Sequence, residues 1–105
     1  MNYSHQEYIK VFKAFSDVKR MAIIDLLQIG EHCACVIAEK IDMSQSALSY
    51  HMKILVESGI VESQEIGKWI HYRLSKKGIR HAESLLTGLN IISGNTVAEQ
   101  CNIRR

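Results

Sequence analysis

Proline is absent from the 105-residue chain. Its helices must therefore end through glycine, a polar cap or charge. Aromatic residues make up only 7%, so a helical core has to rest on Ile, Leu, Val, Met and Ala. No apolar run approaches the roughly 18 residues of a membrane-spanning helix. Residues 1–7 lack the basic-then-apolar pattern of a secretory signal. A cytoplasmic protein without membrane association is the expectation. The three cysteines, Cys33, Cys35 and Cys101, are odd in number, which argues against a disulfide framework. In a reducing compartment they are buried fillers, metal ligands or redox groups. The six glycines fall singly at helix ends and turns and form no phosphate-cradling loop. A chain this short, built of small helices, leaves little room for a catalytic cleft, and no enzyme is expected.

The net charge of +2 is only mildly basic and does not by itself announce nucleic acid. Its placement says more. Lys53, Lys68, Arg73, Lys76, Lys77 and Arg80 all fall in the second half, whereas Glu31, Glu39 and Asp42 precede them.

Tyr8, Val11, Phe12 and Phe15 recur at helical spacing and predict a first helix over residues 4–15. Ser16 or Asp17 caps a second, whose apolar stripe is Met21, Ile24, Leu27 and Ile23, with Gly30 as its stop. A third, short helix is expected over residues 33–40, facing inward with Val36, Ile37 and Ile41. Ser44, in preference to Asp42, caps a fourth helix that ends near Glu57 at Ser58-Gly59. Leu48, Met52 and Leu55 face its core side, leaving Gln45, Ser46, Ala47, Ser49, Tyr50 and Lys53 outward. A hairpin follows over residues 61–74 with a Gly67-Lys68 turn. In it Ile70, Tyr72 and Leu74 alternate with Trp69, His71 and Arg73, the period of a half-buried strand. A last helix over residues 76–92 carries Ile79, Ala82, Leu85, Leu86, Leu89 and Ile92. That stripe is wide enough to imply a second buried face, hence a homodimer. The domain is expected to span residues 1–94, with 95–105 a loose polar tail.

Helix, tight turn, polar helix and basic hairpin make the outline of a winged helix-turn-helix, mainly α with a β-hairpin in the order ααααββα. The fourth helix has the size to enter a major groove, and the hairpin can hold the flanking backbone. Gln45 can bond a base bidentately, Ser44, Ser46 and Ser49 can bond bases or phosphate, and Lys53 supplies charge; Tyr50 stands beside them. Lys68 and Arg73 are expected on phosphates. His51 and His71 are packing or phosphate contacts.

Four segments then occur together over about 45 residues. They are Glu31-His32-Cys33-Ala34-Cys35-Val36; Ser44-Gln45 with Leu48-Ser49 and His51-Met52; Glu57-Ser58-Gly59-Ile60-Val61; and Gly67-Lys68-Trp69-Ile70-His71-Tyr72-Arg73-Leu74-Ser75. Jointly they resemble the metal box, recognition helix, following turn and wing of the ArsR/SmtB family of metal-responsive repressors, most of all its arsenic-sensing branch. The resemblance implies a homodimer, paired through its first and last helices, that binds operator DNA at an imperfect inverted repeat and leaves it when a metal or metalloid binds.

On an ideal helix Cys33 and Cys35 are about 200° apart. They are expected to point nearly opposite ways unless the first turn loosens to let both sulfurs reach one ion. Two thiolates make a soft site that excludes magnesium and calcium. As(III) or Sb(III) is the expected effector, with Cd, Pb or Zn as alternatives. A trivalent arsenic centre takes three thiolates, and Cys101, from its own chain or its partner, is the candidate third ligand; a bystander role stands beside it. His32 is a further candidate, since imidazole suits zinc and cadmium, with a solvated helix-start role beside it; His5, on the N-terminal arm, is another. The family's other zinc site, on the last helix, is expected to be absent, because only His81 and Glu83 stand there. Two rival readings remain: a thiol redox switch on the same fold, and an interaction module that buffers a soft metal without touching DNA.

Overall fold

The computed structural model describes residues 3–91. Its elements run α1 His5–Phe15, α2 Val18–Ile29, β1 His32–Cys33, α3 Ala34–Ile41, α4 Gln45–Glu57, β2 Val61–Ile66, β3 Trp69–Leu74 and α5 Lys76–Leu89. The winged helix-turn-helix is present, with one strand more than the sequence led us to expect. The two-residue β1 joins the hairpin to give a three-stranded antiparallel sheet in the order β1-β3-β2. Two residues have no readable periodicity, so nothing in the spacing marked them.

Polar caps set the helix starts. Ser4 and Glu7 form a reciprocal capping box on α1, Asp17 caps α2, Ser44 caps α4 and Ser75 caps α5. Asp42, the other candidate cap for α4, instead closes α3 in a left-handed conformation at φ 58°, which a short polar side chain tolerates. The last helix ends at Leu89 with Asn90 as its C-cap, short of the expected residue 92. Ile92 and the proposed tail lie outside the described residues.

The core gathers α2, α3, α4 and the start of β2. Ile23, Ile37, Leu48, Met52, Leu55, Ile60 and Val61 are all essentially sealed from solvent. Burying each of these large side chains contributes about 1.5–3 kcal/mol. On α2 the inward stripe is Arg20, Ile23, Ile24 and Leu27, while Met21 is 38% exposed. Ile23, Ile24 and Leu27 face inward as expected, and Arg20 takes the place expected of Met21.

The turn from α4 into the sheet is held by a backbone-to-backbone approach. Gly59 sits at φ 83°, and a Cβ on Gly78 of α5 would lie 1.7 Å from the Gly59 carbonyl oxygen. Only glycine at position 78 lets α5 pack here. Two helices keep apolar residues in solvent. Phe12 and Phe15 on α1, with Leu86 and Leu89 on α5, are 40–62% exposed, and α1 and α5 together line an apolar groove that includes Val11, Phe12, Ile79 and Leu86.

Candidate metal centre and nucleic-acid interface

The thiols meet because Cys33 is not in the helix. It ends β1 in an extended conformation (φ −68°, ψ 146°) and serves as N-cap of α3, with Cys35 in the first helical turn. The 200° separation of an ideal helix therefore does not apply. The two sulfurs lie 3.1 Å apart with no loosening of α3, which corrects the expectation that they diverge. Both cysteines are free, Cys35 exposed and Cys33 partly so.

Their protons are unequal. The Cys35 thiol, hydrogen-bonded to Cys33, holds the Cys33 thiol below its ordinary range, and the backbone N–H groups of Cys35, Val36 and Ala34 act the same way. That same bond pushes Cys35 up, as do desolvation and the charge forming on Cys33. The pair gives up its first proton readily, from Cys33, and its second reluctantly.

Glu31, His71 and Arg73 surround the strand side of this pair. Cys33 is opposite His71 in the β1–β3 register, and His32 is opposite Tyr72. Glu31 lies 3.2 Å from His71 Nδ1 and 3.9 Å from Arg73 Nη1. The His32 Nδ1 hydrogen bonds the Gly30 carbonyl at 2.7 Å, and His5 is the first residue of α1. Among the described residues no three His, Cys, Asp or Glu side chains are grouped to hold a metal ion. Cys101, the candidate third thiol, lies outside the described residues.

A second surface is built by α4. At about 100° per residue, Gln45, Ser46, Ser49, Tyr50 and Lys53 span an arc of about 140°, and all five are exposed. Leu48, Met52 and Leu55 occupy the opposite arc and are buried. Ser44 sits at the helix start, where its hydroxyl accepts the Ala47 N–H at 3.1 Å and contacts the Ser46 hydroxyl at 3.2 Å. His51 departs from the exposed row. Its side chain is 13% exposed and its Nδ1 is 2.9 Å from a guanidinium nitrogen of Arg20. Packing is the reading the geometry favours for it, in place of a phosphate contact.

At the wing tip, Gly67 at φ 63° begins a two-residue turn that sets Ile66 opposite Trp69. Both faces are open there: Trp69 is 52% and Ile70 41% exposed, so the half-buried alternation is seen only from Tyr72 to Leu74. Lys68 is exposed, its ammonium 6.0 Å from the Trp69 ring. Arg73 is less free than expected. Its Nε donates to Glu62 Oε1 at 2.6 Å across the β2–β3 pair.

The sequence reading passed over Arg20, although it stands at the spacing of the buried stripe 20, 23, 24, 27. A charge on an apolar stripe was the available signal.

Comparison with known proteins decides what this surface belongs to. The family described as "Bacterial regulatory protein, arsR family" matches residues 17–63. An arsenical resistance operon repressor of Staphylococcus aureus is 38% identical over 100 residues, covering 93% of this chain and 89% of that protein. The chain belongs to the ArsR family. An arsenical resistance operon repressor of Escherichia coli K12 is 43% identical over 68 residues, which covers 64% of this chain and 58% of that longer relative. A homodimeric winged helix-turn-helix DNA-binding domain from Mycobacterium bovis superposes with a TM-score of 0.67 at 26% identity, covering 81% of this chain and 79% of that one. As an ArsR-family chain this is a DNA-binding transcriptional repressor, and its relatives are regulators, not enzymes. No helix among the described residues is long and apolar enough to cross a membrane.

Proposed function

We propose that this ArsR-family repressor is released from its operator when As(III) or Sb(III) is captured by Cys33 and Cys35. The observation that carries the reading is the 3.1 Å separation of two accessible sulfurs at the joint between β1 and α3. Two thiolates sharing one ion with metal–sulfur bonds of about 2.3 Å sit about 3.8 Å apart in a tetrahedral site. The pair is therefore within a small side-chain rotation of a chelating arrangement. Soft donors suit thiophilic ions, cadmium, lead and zinc included, and an arsenic centre would draw its third thiolate from Cys101. The arsenical resistance repressors among the relatives support the metalloid.

The repressor acts in the cytoplasm as a homodimer. The uncovered apolar residues of α1 and α5, Phe12, Phe15, Leu86 and Leu89, supply the pairing face, in keeping with the homodimeric neighbour. Two-fold pairing presents two copies of α4 to successive major grooves about 34 Å apart, so the operator is an imperfect inverted repeat. Gln45, Ser46, Ser49 and Tyr50 read it, Ser44 caps the reading helix, and Lys53 and Lys68 hold phosphates.

Two connections carry the signal. Along the chain, α3 runs into α4 through the Asp42–Ser44 turn. Across the sheet, Cys33 is hydrogen-bonded into the wing through β1 and β3. Rotation of the Cys33 side chain and the shift of β1 that goes with it disturb Glu31, and through it His71 and Arg73. Reader and wing then no longer fit the DNA together.

The test is titration of the reduced dimer on labelled operator with arsenite, antimonite, cadmium and zinc. Release by arsenite or antimonite at the lowest concentrations is expected. Unchanged operator binding with every ion would overturn the proposal. The short sulfur separation also favours a second reading, release by oxidation. Peroxide would take two electrons and two protons from the thiols, forming one S–S bond and two waters. Release by peroxide with a chelator present, and none by arsenite, would establish that reading in place of the first.

A further inference from the structure

Arg20 is 5% exposed. Its Nε and Nη2 donate to the Lys13 carbonyl at 3.2 and 2.9 Å, and its Nη1 donates to His51 Nδ1 at 2.9 Å. Lys13 stands in the last turn of α1, where its carbonyl also accepts the Ser16 N–H and hydroxyl at 3.3 and 3.1 Å and the helix dipole favours a cation. Because Nδ1 accepts this bond, the neutral His51 ring carries its proton on Nε2. Asp17 Oδ2 lies 3.8 Å from the same Nδ1. The His51 ring in turn meets the Tyr50 ring edge-on, with centroids 5.2 Å apart and planes at 67°. One guanidinium thus joins the end of α1, the start of α2 and the middle of α4, one residue from an exposed member of the reading face.

The four buried residues of α4, Leu48, Met52, Ile54 and Leu55, are apolar and their contacts non-directional. They tolerate a small rotation of the helix about its axis. A hydrogen bond does not, since it weakens steeply with misalignment. His51 lies within the buried arc, between Ile54 and Leu55 at about 100° per residue, and ties that arc to α1 and α2 with a directional bond. Apolar side chains of similar volume often give equal or better stability than a buried charge, so retaining one fits a role in setting geometry.

We propose that Arg20 is a positioning residue for operator recognition. Through His51 it fixes the rotation of α4 relative to α1, and so where Ser46 and Tyr50 meet the groove. The proposal rests on the DNA-binding role and on α1 belonging to the pairing face, which makes the same contacts set one reader helix against the other.

The test begins by enriching a duplex from a random-sequence library with the wild-type protein. Affinities for that duplex and for a scrambled one are then compared among wild type, His51→Phe, His51→Gln and Arg20→Met. His51→Phe keeps an aromatic ring against Tyr50 but removes the acceptor. It is expected to weaken binding to the enriched duplex about tenfold with the scrambled duplex unchanged; the unpaired guanidinium N–H also lowers the melting temperature, so all affinities are measured well below it. His51→Gln, whose Oε1 can accept from Arg20, restores most of the loss. Arg20→Met matches His51→Phe, and the double variant adds nothing further. Should Arg20→Met fail to fold, the His51→Phe and His51→Gln comparison decides alone. Wild-type affinity in His51→Phe, equal losses on both duplexes, or a His51→Gln variant as weak as His51→Phe would overturn the proposal. Enrichment of no duplex would overturn the DNA-binding role and this proposal with it.

Discussion

Cys33 stands opposite His71 in the antiparallel ladder of β1 and β3, so one of the two candidate ligands is backbone-paired to the wing. Glu31, two residues earlier in the chain, reaches the same His71 at 3.2 Å. A change at the thiols therefore has a short physical route to the hairpin proposed to contact DNA. Glu31→Ala is predicted to leave operator binding and arsenite affinity in place while reducing release about fivefold, equivalent to about 1 kcal/mol of coupling. Operator affinity measured with and without saturating arsenite checks this. An undiminished release factor would remove Glu31 from the route.

The inequality of the two thiols gives a pH prediction. Cys33 is held low chiefly by the Cys35 thiol, so its thiolate persists below the ordinary thiol range and is lost only as pH falls through its lowered value. Cys35→Ala removes that donor, and the Cys33 thiolate then forms at higher pH. The rate of Cys33 alkylation against pH is expected to shift upward in the variant. An unmoved profile would show that the backbone N–H groups dominate.

Gly78→Ala tests the seat of α5. Alanine favours a helix over glycine by about 1 kcal/mol, but a Cβ 1.7 Å from the Gly59 carbonyl oxygen forces backbone apart, at a cost at or above the roughly 3 kcal/mol of severe overpacking. A net destabilisation of about 2 kcal/mol is expected from urea unfolding. A stabilised variant would mean that this approach is looser than described.

On the wing, Lys68 and Arg73 separate. Lys68→Ala should weaken binding to all duplexes alike and lower the salt dependence by about one unit of slope. Arg73 already donates to Glu62 at 2.6 Å. Glu62→Gln, by releasing that charge, is expected to strengthen binding to any duplex and steepen the salt dependence. An unchanged slope in Glu62→Gln would place Arg73 away from phosphate.

Much of this arrangement was legible beforehand, for identifiable reasons. Ser44, Asp17 and Gly30 are strong helix punctuators, and Leu48, Met52 and Leu55 recur at helical spacing, so the reader helix and its buried side could be placed from residues alone. What escaped depended on contacts between distant segments. Cys33 and Cys35 looked divergent because no residue pattern marks Cys33 as part of a strand, and β1 exists only through its pairing with β3. The tie of Arg73 to Glu62 needed the hairpin register. Arg20 was visible as a charge on the inward stripe of α2, but its partners Lys13 and His51 come from two other helices.

In the proposed function the Cys33–Cys35 pair captures a thiophilic ion and thereby loosens the grip on DNA. Operator affinity with and without arsenite in wild type, Cys33→Ser and Cys35→Ser tests it most directly. All three are expected to bind operator equally without arsenite, and only the wild type to let go when arsenite is added. Release that survives in either serine variant, or a wild type that holds its operator throughout the titration, would contradict it.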